Sequence, residues 1–150
     1  MTAFEHSLPM ILYRALDAVL PAYRELFSRH GLTEQQWRVL RVLWACERAT
    51  ARDLSLQTLI SAPSLVSILD RMEAKGLVSR VRSTEDRRRV YVVATAKGRV
   101  LEEKIMPDVN RIHASIRERV SSTEWAAMEA ILEKIVTFDP AETRAVRATA

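Results

Sequence analysis

A single cysteine, Cys46, in 150 residues excludes an intramolecular disulfide framework and fits a reducing compartment. It lies in "VLWACERAT", near the end of an apolar helical pattern, where a small core residue is the plain reading and a redox sensor the alternative. The chain has only three glycines, and no Gly-rich loop of the kind that cradles phosphate. Its three histidines, His6, His30 and His113, stand at no metal-ligand spacing, and no acids are paired in an apolar setting. Neither a metal, an organic cofactor nor a catalytic constellation is therefore expected. No apolar run approaches the roughly 20 residues that span a bilayer. The N-terminal "MTAFEHSLPMILYRALDAV" has no basic leader, and Arg14 and Asp17 interrupt its apolar residues, so it does not read as a secretory signal. A cytoplasmic chain with no membrane partner is expected.

What is present is a globular composition, 48% hydrophobic and 28% charged, long enough for one unit with a core. A pI of about 9.6 favours an anionic partner. The charge is concentrated. Between Ser79 and Val90 stand five arginines (Arg80, Arg82, Arg87, Arg88, Arg89) against two acids (Glu85, Asp86), a surplus of three in a whole-chain formal charge of +4.

The pattern along the chain places those arginines. From Leu8 to Phe27, Leu12, Leu16, Val19, Leu20, Tyr23 and Phe27 recur at helical spacing and predict a helix with one buried stripe. Gly31 stops it, and Thr33 with Gln36 forms a capping box for a second helix, about Glu34 to Cys46, burying Trp37, Leu40, Leu43 and Trp44. A short helix, about Ala51 to Gln57, follows the Thr50 cap with Leu54 inward. In "LISAPSLVSILDRMEAKGLV", Ser61 can cap, Pro63 fits the first turn, Leu65, Ile68, Leu69 and Met72 face inward, and Gly76 ends the helix. Its other face carries Ser64, Ser67, Asp70 and Arg71, small or hydrogen-bonding groups of the kind a major-groove helix needs near its start.

"LVSRVRS" and "RRVYVVAT", joined by "TEDR", then predict a hairpin whose arginines can lie along phosphates or enter the minor groove. Asp86 is expected to hold one of them by a charge-assisted hydrogen bond. Beyond it, Leu101, Ile105, Val109, Ile112, Ile116 and Val120 trace one helical stripe that Pro107 can bend. Ser121, Ser122 or Thr123 caps a last helix whose buried set is Trp125, Met128, Leu132 and Ile135. These stripes are too extensive for so small a winged motif to cover, so a two-fold dimer built from both chain ends is expected. The fold class is mainly α with a small β-hairpin wing. A winged helix-turn-helix over about 33–95 is flanked by dimerisation helices over about 8–29 and 96–138, all in a single unit.

The run "SAPSLVSILDRMEAKGLVSRVRSTEDRRRVYVVATAKGRVL" resembles the recognition helix, wing and return into the fifth helix of the MarR family of winged-helix repressors, and the order of elements extends the resemblance over essentially the whole chain. "HGLTEQQWRVLRVLW" and "LPMILYRALDAVLPAYR" are similar to the branch that represses homoprotocatechuate degradation operons. Peroxide-sensing relatives place a reactive cysteine in the first helix, where this chain has none. The resemblance implies a non-enzymatic repressor, released from its operator by a small aromatic acid bound between the dimer helices and the DNA-binding lobe. An apolar slot and a carboxylate partner are needed for such an acid. Arg14 and Arg38 offer guanidinium groups, Trp37 a ring, and His6 and Ser7 hydrogen bonds. Each has another reading: Arg14 pairs with Asp17 or Glu25, Trp37 is plain core, and His6 sits in a frayed end.

The DNA-facing residues read from the sequence are Ser61, Ser64, Ser67 and Arg71 on the helix, with Arg82, Arg87 and Arg88 on the wing. The partner is a pseudo-palindromic double-stranded operator with half-sites ~10 base pairs apart. A regulator answering to an oxidant or another phenol, and a helical module binding an acidic protein, are the rival readings. Replacing Arg87 with alanine is predicted to weaken binding to all duplex sequences and to make its salt dependence less steep, read by fluorescence anisotropy at several salt concentrations. An unchanged slope contradicts the wing assignment.

Overall fold

The computed structural model describes residues 7–86 and 88–139, so His6 and Arg87 lie outside the described residues. In chain order the elements are α1 (Leu8–Arg29), α2 (Glu34–Ala45), β1 (Ala49–Thr50), α3 (Ala51–Thr58), α4 (Ala62–Ala74), β2 (Val78–Arg82), β3 (Val90–Ala94), α5 (Ala96–Arg117) and α6 (Ser122–Val136). The three strands form an antiparallel sheet in the order β1-β3-β2. Val78 faces Ala94 and Arg82 faces Val90 across the hairpin, while Ala49 faces Val92. Among the described residues no helix is long and apolar enough to cross a membrane.

The helix ends follow the local chemistry. Thr33 with Gln36, Thr50 with Asp53 and Ser121 with Glu124 each form a capping box, so the last cap is Ser121 rather than Ser122 or Thr123. The Thr50 hydroxyl holds the Asp53 carboxyl below its ordinary pKa, as the Ser121 hydroxyl does for Glu124. A lowered folded pKa contributes stability above the ordinary value and loses it as pH falls through the folded one. Both caps are therefore intact at neutral pH. Gly31 (φ 67°) and Gly76 (φ 68°) take the left-handed positions that end α1 and α4, which cost a glycine least.

Two compact units divide the chain, one ending at Ile112 and the other beginning at His113. In the first, α2, α3 and α4 enclose a core of Val39, Leu40, Leu43, Leu54, Leu65, Ile68, Leu69 and Met72, closed by Val78 and Val92 of the sheet and Ile105 of α5. The Trp44 indole donates to the Gly98 carbonyl at 3.0 Å, and the Thr95 hydroxyl accepts from the Gly98 N–H at 3.1 Å, fastening the start of α5. In the second unit, His113 meets the edge of the Trp125 ring at 5.1 Å between centroids, with the Arg117 guanidinium 5.9 Å from that ring.

Several expectations change. Along α1 only Leu26 and Phe27 are buried; Leu12, Val19, Leu20 and Tyr23 are half-buried, and Leu16 is 50% exposed. α6 buries none of its residues: Trp125 and Ile135 are half-buried, and Met128 and Leu132 are exposed. Val120 lies beyond the end of α5 and is exposed. Within one chain these apolar stripes are largely surface, as expected of faces that a second copy is to cover. Trp37 is half-buried instead of fully enclosed, and Cys46 caps α2, its thiol 3.2 Å from the Val42 carbonyl. Pro107 lies within the continuous helix α5. Strand β1 was not anticipated, because two residues carry no alternation to read.

Gly98 has no room for a side chain: a Cβ there would stand 2.2 Å from the Leu77 carbonyl oxygen. Gly98→Ala is predicted to lower unfolding stability by about 1–3 kcal/mol or more, since backbone rather than a flexible side chain must shift. Urea unfolding followed by circular dichroism measures it.

Candidate nucleic-acid interface

The turn between α3 and α4 is pinned from several sides. The Thr58 hydroxyl donates to the Leu54 carbonyl and the Ser55 hydroxyl to the Ile60 carbonyl, each at 2.6 Å. Arg38 of α2 donates from Nη1 to the Thr58 carbonyl at 2.9 Å and lies 3.4 Å from Glu34, which also accepts from Arg24. Leu59 ends α3 at φ 56°, a left-handed conformation that costs a leucine about 1–2 kcal/mol. Buried Ile60 then leads into α4.

Helix α4 presses Leu65, Ile68, Leu69 and Met72 into the core, none more than 2% exposed. The opposite surface is thereby fixed. Ser61, Ser64, Ser67 and Arg71, the residues read as DNA-facing, are all exposed together on it. Ser61 occupies the cap position, but its hydroxyl makes no capping bond and instead donates to the Ser64 hydroxyl at 2.9 Å.

The hairpin tip is built by two short polar side chains. The Ser83 hydroxyl accepts from the N–H groups of Glu85 and Asp86, both at 3.2 Å. The Asp86 carboxylate accepts from the Arg88 N–H at 3.0 Å and lies 3.7 Å from the Arg89 guanidinium. Among the described residues Asp86 thus holds the backbone of the arginine run, at Arg88, more closely than it holds the Arg89 side chain. Arg82 and Arg88 are exposed.

Sequence reading missed the role of Arg80. Its guanidinium reaches from β2 to two carboxylates of α4, Nη2 to Asp70 and Nη1 to Glu73, each at 2.6 Å, and its N–H donates to Glu73 at 3.0 Å. The bond to Asp70 is the largest of the effects that raise its pKa. The wing is thereby tied to the helix, and two negative charges beside the serine face are neutralised. Its signal was present in the spacing of Asp70 and Glu73 on one side of a helix that a glycine turn brings back against a strand. Arg48 lies over the Tyr91 ring at 4.5 Å, a second missed contact at the same sheet.

Of the residues read as ligand-binding, Ser7, Arg14, Trp37 and Arg38 belong to the first unit, and His6 lies outside the described residues. Ser7 is the N-cap residue of α1, half-buried. Arg14 is exposed, and among the described residues it forms no ion pair; Glu25 pairs with Arg29 instead. Trp37 stacks on Phe27 at 4.6 Å, with 17° between the rings. Its indole nitrogen and the Arg38 Nε are buried with no hydrogen-bond partner among the described residues. Such groups cost about 1–3 kcal/mol each. A separate cleft of about 610 Å³ is lined by His30, Lys75, Lys97 and Lys104 over an apolar floor of Leu77 and Leu101. Among the described residues no group of three or more His, Cys, Asp or Glu is placed to hold a metal.

Compared with known proteins, the chain matches the MarR family over residues 30–89. It is 32% identical over 132 residues to the homoprotocatechuate degradative operon repressor of Escherichia coli, spanning 88% of this chain and 89% of that one. The solved structure of transcriptional regulator PA4135 is similar with a TM-score of 0.80 and 34% identity, over 89% of this chain and 98% of that one. NadR in complex with 4-hydroxyphenylacetate gives a TM-score of 0.78 and 29% identity, over 93% of this chain and 99% of that one.

Arg80→Gln frees the Asp70 and Glu73 carboxylates. Because these pairs are substantially exposed, stability is predicted to fall by no more than about 1 kcal/mol. Duplex DNA affinity should fall further at low salt than at high salt, where the repulsion is screened. Urea unfolding and anisotropy titrations at two salt concentrations separate the two effects.

Proposed function

The chain belongs to the MarR family of winged-helix transcriptional regulators, and we propose that it is the cytoplasmic repressor of an aromatic-compound catabolic operon of the homoprotocatechuate or 4-hydroxyphenylacetate type. The observation that carries the DNA-binding part is the exposed serine face of α4 beside an arginine-rich wing. Direct contacts from Ser61, Ser64, Ser67 and Arg71 reach bases or phosphates in the major groove, and Arg82, Arg87 and Arg88 meet the flanking backbone and minor groove. Two copies bind a pseudo-palindrome with half-sites ~10 base pairs apart. Pairing of copies is supported by the apolar side chains left at the surface, Leu8, Ile11 and Leu16 on α1 and Ile131 on α6, with Val136 at its end 84% exposed.

The effector reading rests on the unpartnered Trp37 indole N–H, together with the ligand named for NadR and the operon named for the Escherichia coli relative. A phenolic acid stacked near Trp37 supplies the acceptor that N–H lacks. Arg14, with Ser7 and His6 before α1, takes the carboxylate or phenol. Arg38, the next residue, is fastened to the end of α3, so a shift at Trp37 is transmitted to the helix-turn-helix. Release then follows only from the difference in the acid's affinity for the DNA-competent and DNA-incompetent states. A second location for the acid is the cleft lined by Lys75, Lys97 and Lys104, where the Lys75 and Lys97 ammonium groups also donate to the Gly31 and Lys75 carbonyls.

The test is anisotropy of DNA from upstream of this protein's own gene, titrated with protein in the presence and absence of 4-hydroxyphenylacetate and 3,4-dihydroxyphenylacetate. Tight selective binding relieved by either acid is the expected result. Trp37→Phe, which keeps a ring on Phe27 and removes the N–H, is predicted to leave DNA affinity intact and to raise the acid concentration needed for release about tenfold or more. Loss of relief in Lys97→Gln with full relief in Trp37→Phe moves the effector to the cleft. Selective binding that ignores both acids leaves a regulator with another signal.

A further inference from the structure

The side chains exposed on the first two turns of α4 and its cap are Ser61, Ala62, Pro63, Ser64, Val66 and Ser67. None of them carries the guanidinium that grips guanine or the amide that grips adenine through two hydrogen bonds. The first cation, Arg71, lies a turn farther along. Three hydroxyls can serve any base, so they discriminate weakly. What distinguishes this surface is its apolar part. Pro63 lies three residues before Val66 and four before Ser67, so the three share one side of the helix. Val66 is 51% exposed, outside the stripe that Leu65, Ile68, Leu69 and Met72 send into the core. The major-groove edges of the four bases offer donors, acceptors and one apolar group, the 5-methyl of thymine.

We infer that Pro63 and Val66 select thymine by contact with its 5-methyl group, an inference that rests on the DNA-binding reading of α4. The serines beside them satisfy neighbouring phosphates or base edges, and the Arg80 clamp keeps Asp70 and Glu73 from repelling the backbone as the helix approaches. Covering one methyl group removes about as much apolar surface from water as one methylene, which corresponds to about fourfold in affinity.

The full-length chain is used to select duplexes from a random-sequence pool. Each thymine of the selected site is then replaced, one at a time, by deoxyuridine, which removes only the methyl group. Expected is at least one thymine per half-site where the replacement weakens binding about fourfold, and a Val66→Ala protein that binds the thymine and uracil duplexes alike at that position. Alanine suits an exposed helix position, and the unfolding midpoint of the variant verifies its fold. Uracil tolerated at every position of a selectively bound site overturns the inference and leaves the DNA-binding reading standing. Full thymine discrimination retained by both Val66→Ala and Pro63→Ala overturns the assignment to these residues. A pool that yields no selected sequence overturns the inference and the reading together.

Discussion

The seating of α4 is the constraint on which the outward surface depends. Leu65, Ile68, Leu69 and Met72 are each buried in the one core that also holds residues of α2 and α3, and full burial of such side chains stabilises by roughly 1.5–3 kcal/mol apiece as an upper figure. A helix held by one continuous stripe cannot rotate about its axis without exposing it. The orientation of Ser64, Ser67 and Arg71 is therefore decided by residues buried on the other side of the helix. Arg38 adds the second fixed point, at the end of α3, and Gly76 the third, where the chain turns back into β2.

Electrostatics acts on that rigid frame. The arginine-rich hairpin does not simply project charge: Arg80 spends its guanidinium on Asp70 and Glu73, Ser83 and Asp86 shape the tip, and Arg82 and Arg88 stay exposed. A wing and a recognition helix joined by two 2.6 Å ion pairs present their charges in one geometry. The surface that results is cationic at the wing and nearly neutral along the helix, and in the proposed reading the wing contributes affinity and the helix selectivity.

Much of this was legible in the residues themselves because its causes are local. The Thr33–Gln36 box, the glycine stops at Gly31 and Gly76, and the α4 stripe each follow from spacing and backbone chemistry, and the structure has them. What was misread depends on sequence-distant contacts. Periodicity gives α1 and α6 apolar faces too extensive for one copy to cover, but which of their side chains one copy leaves in water, Leu16, Met128 and Leu132 among them, is decided by packing. Strand β1 exists only because β3 lies beside it. Arg80 looked like one more wing charge, since its partners stand seven and ten residues away in another element. Of the residues proposed for the effector, Trp37 and Arg38 have a buried side-chain N–H without a partner among the described residues, a property no pattern of letters contains.

A chemical footprint with dimethyl sulfate tests the central claim, because it methylates guanine in the major groove and adenine in the minor groove and so reports each groove separately. A helix seated by its core stripe and flanked by a wing predicts two patches of major-groove protection about ten base pairs apart, each with minor-groove protection on its outer side. Protection confined to one groove throughout, or spread evenly without that spacing, contradicts it.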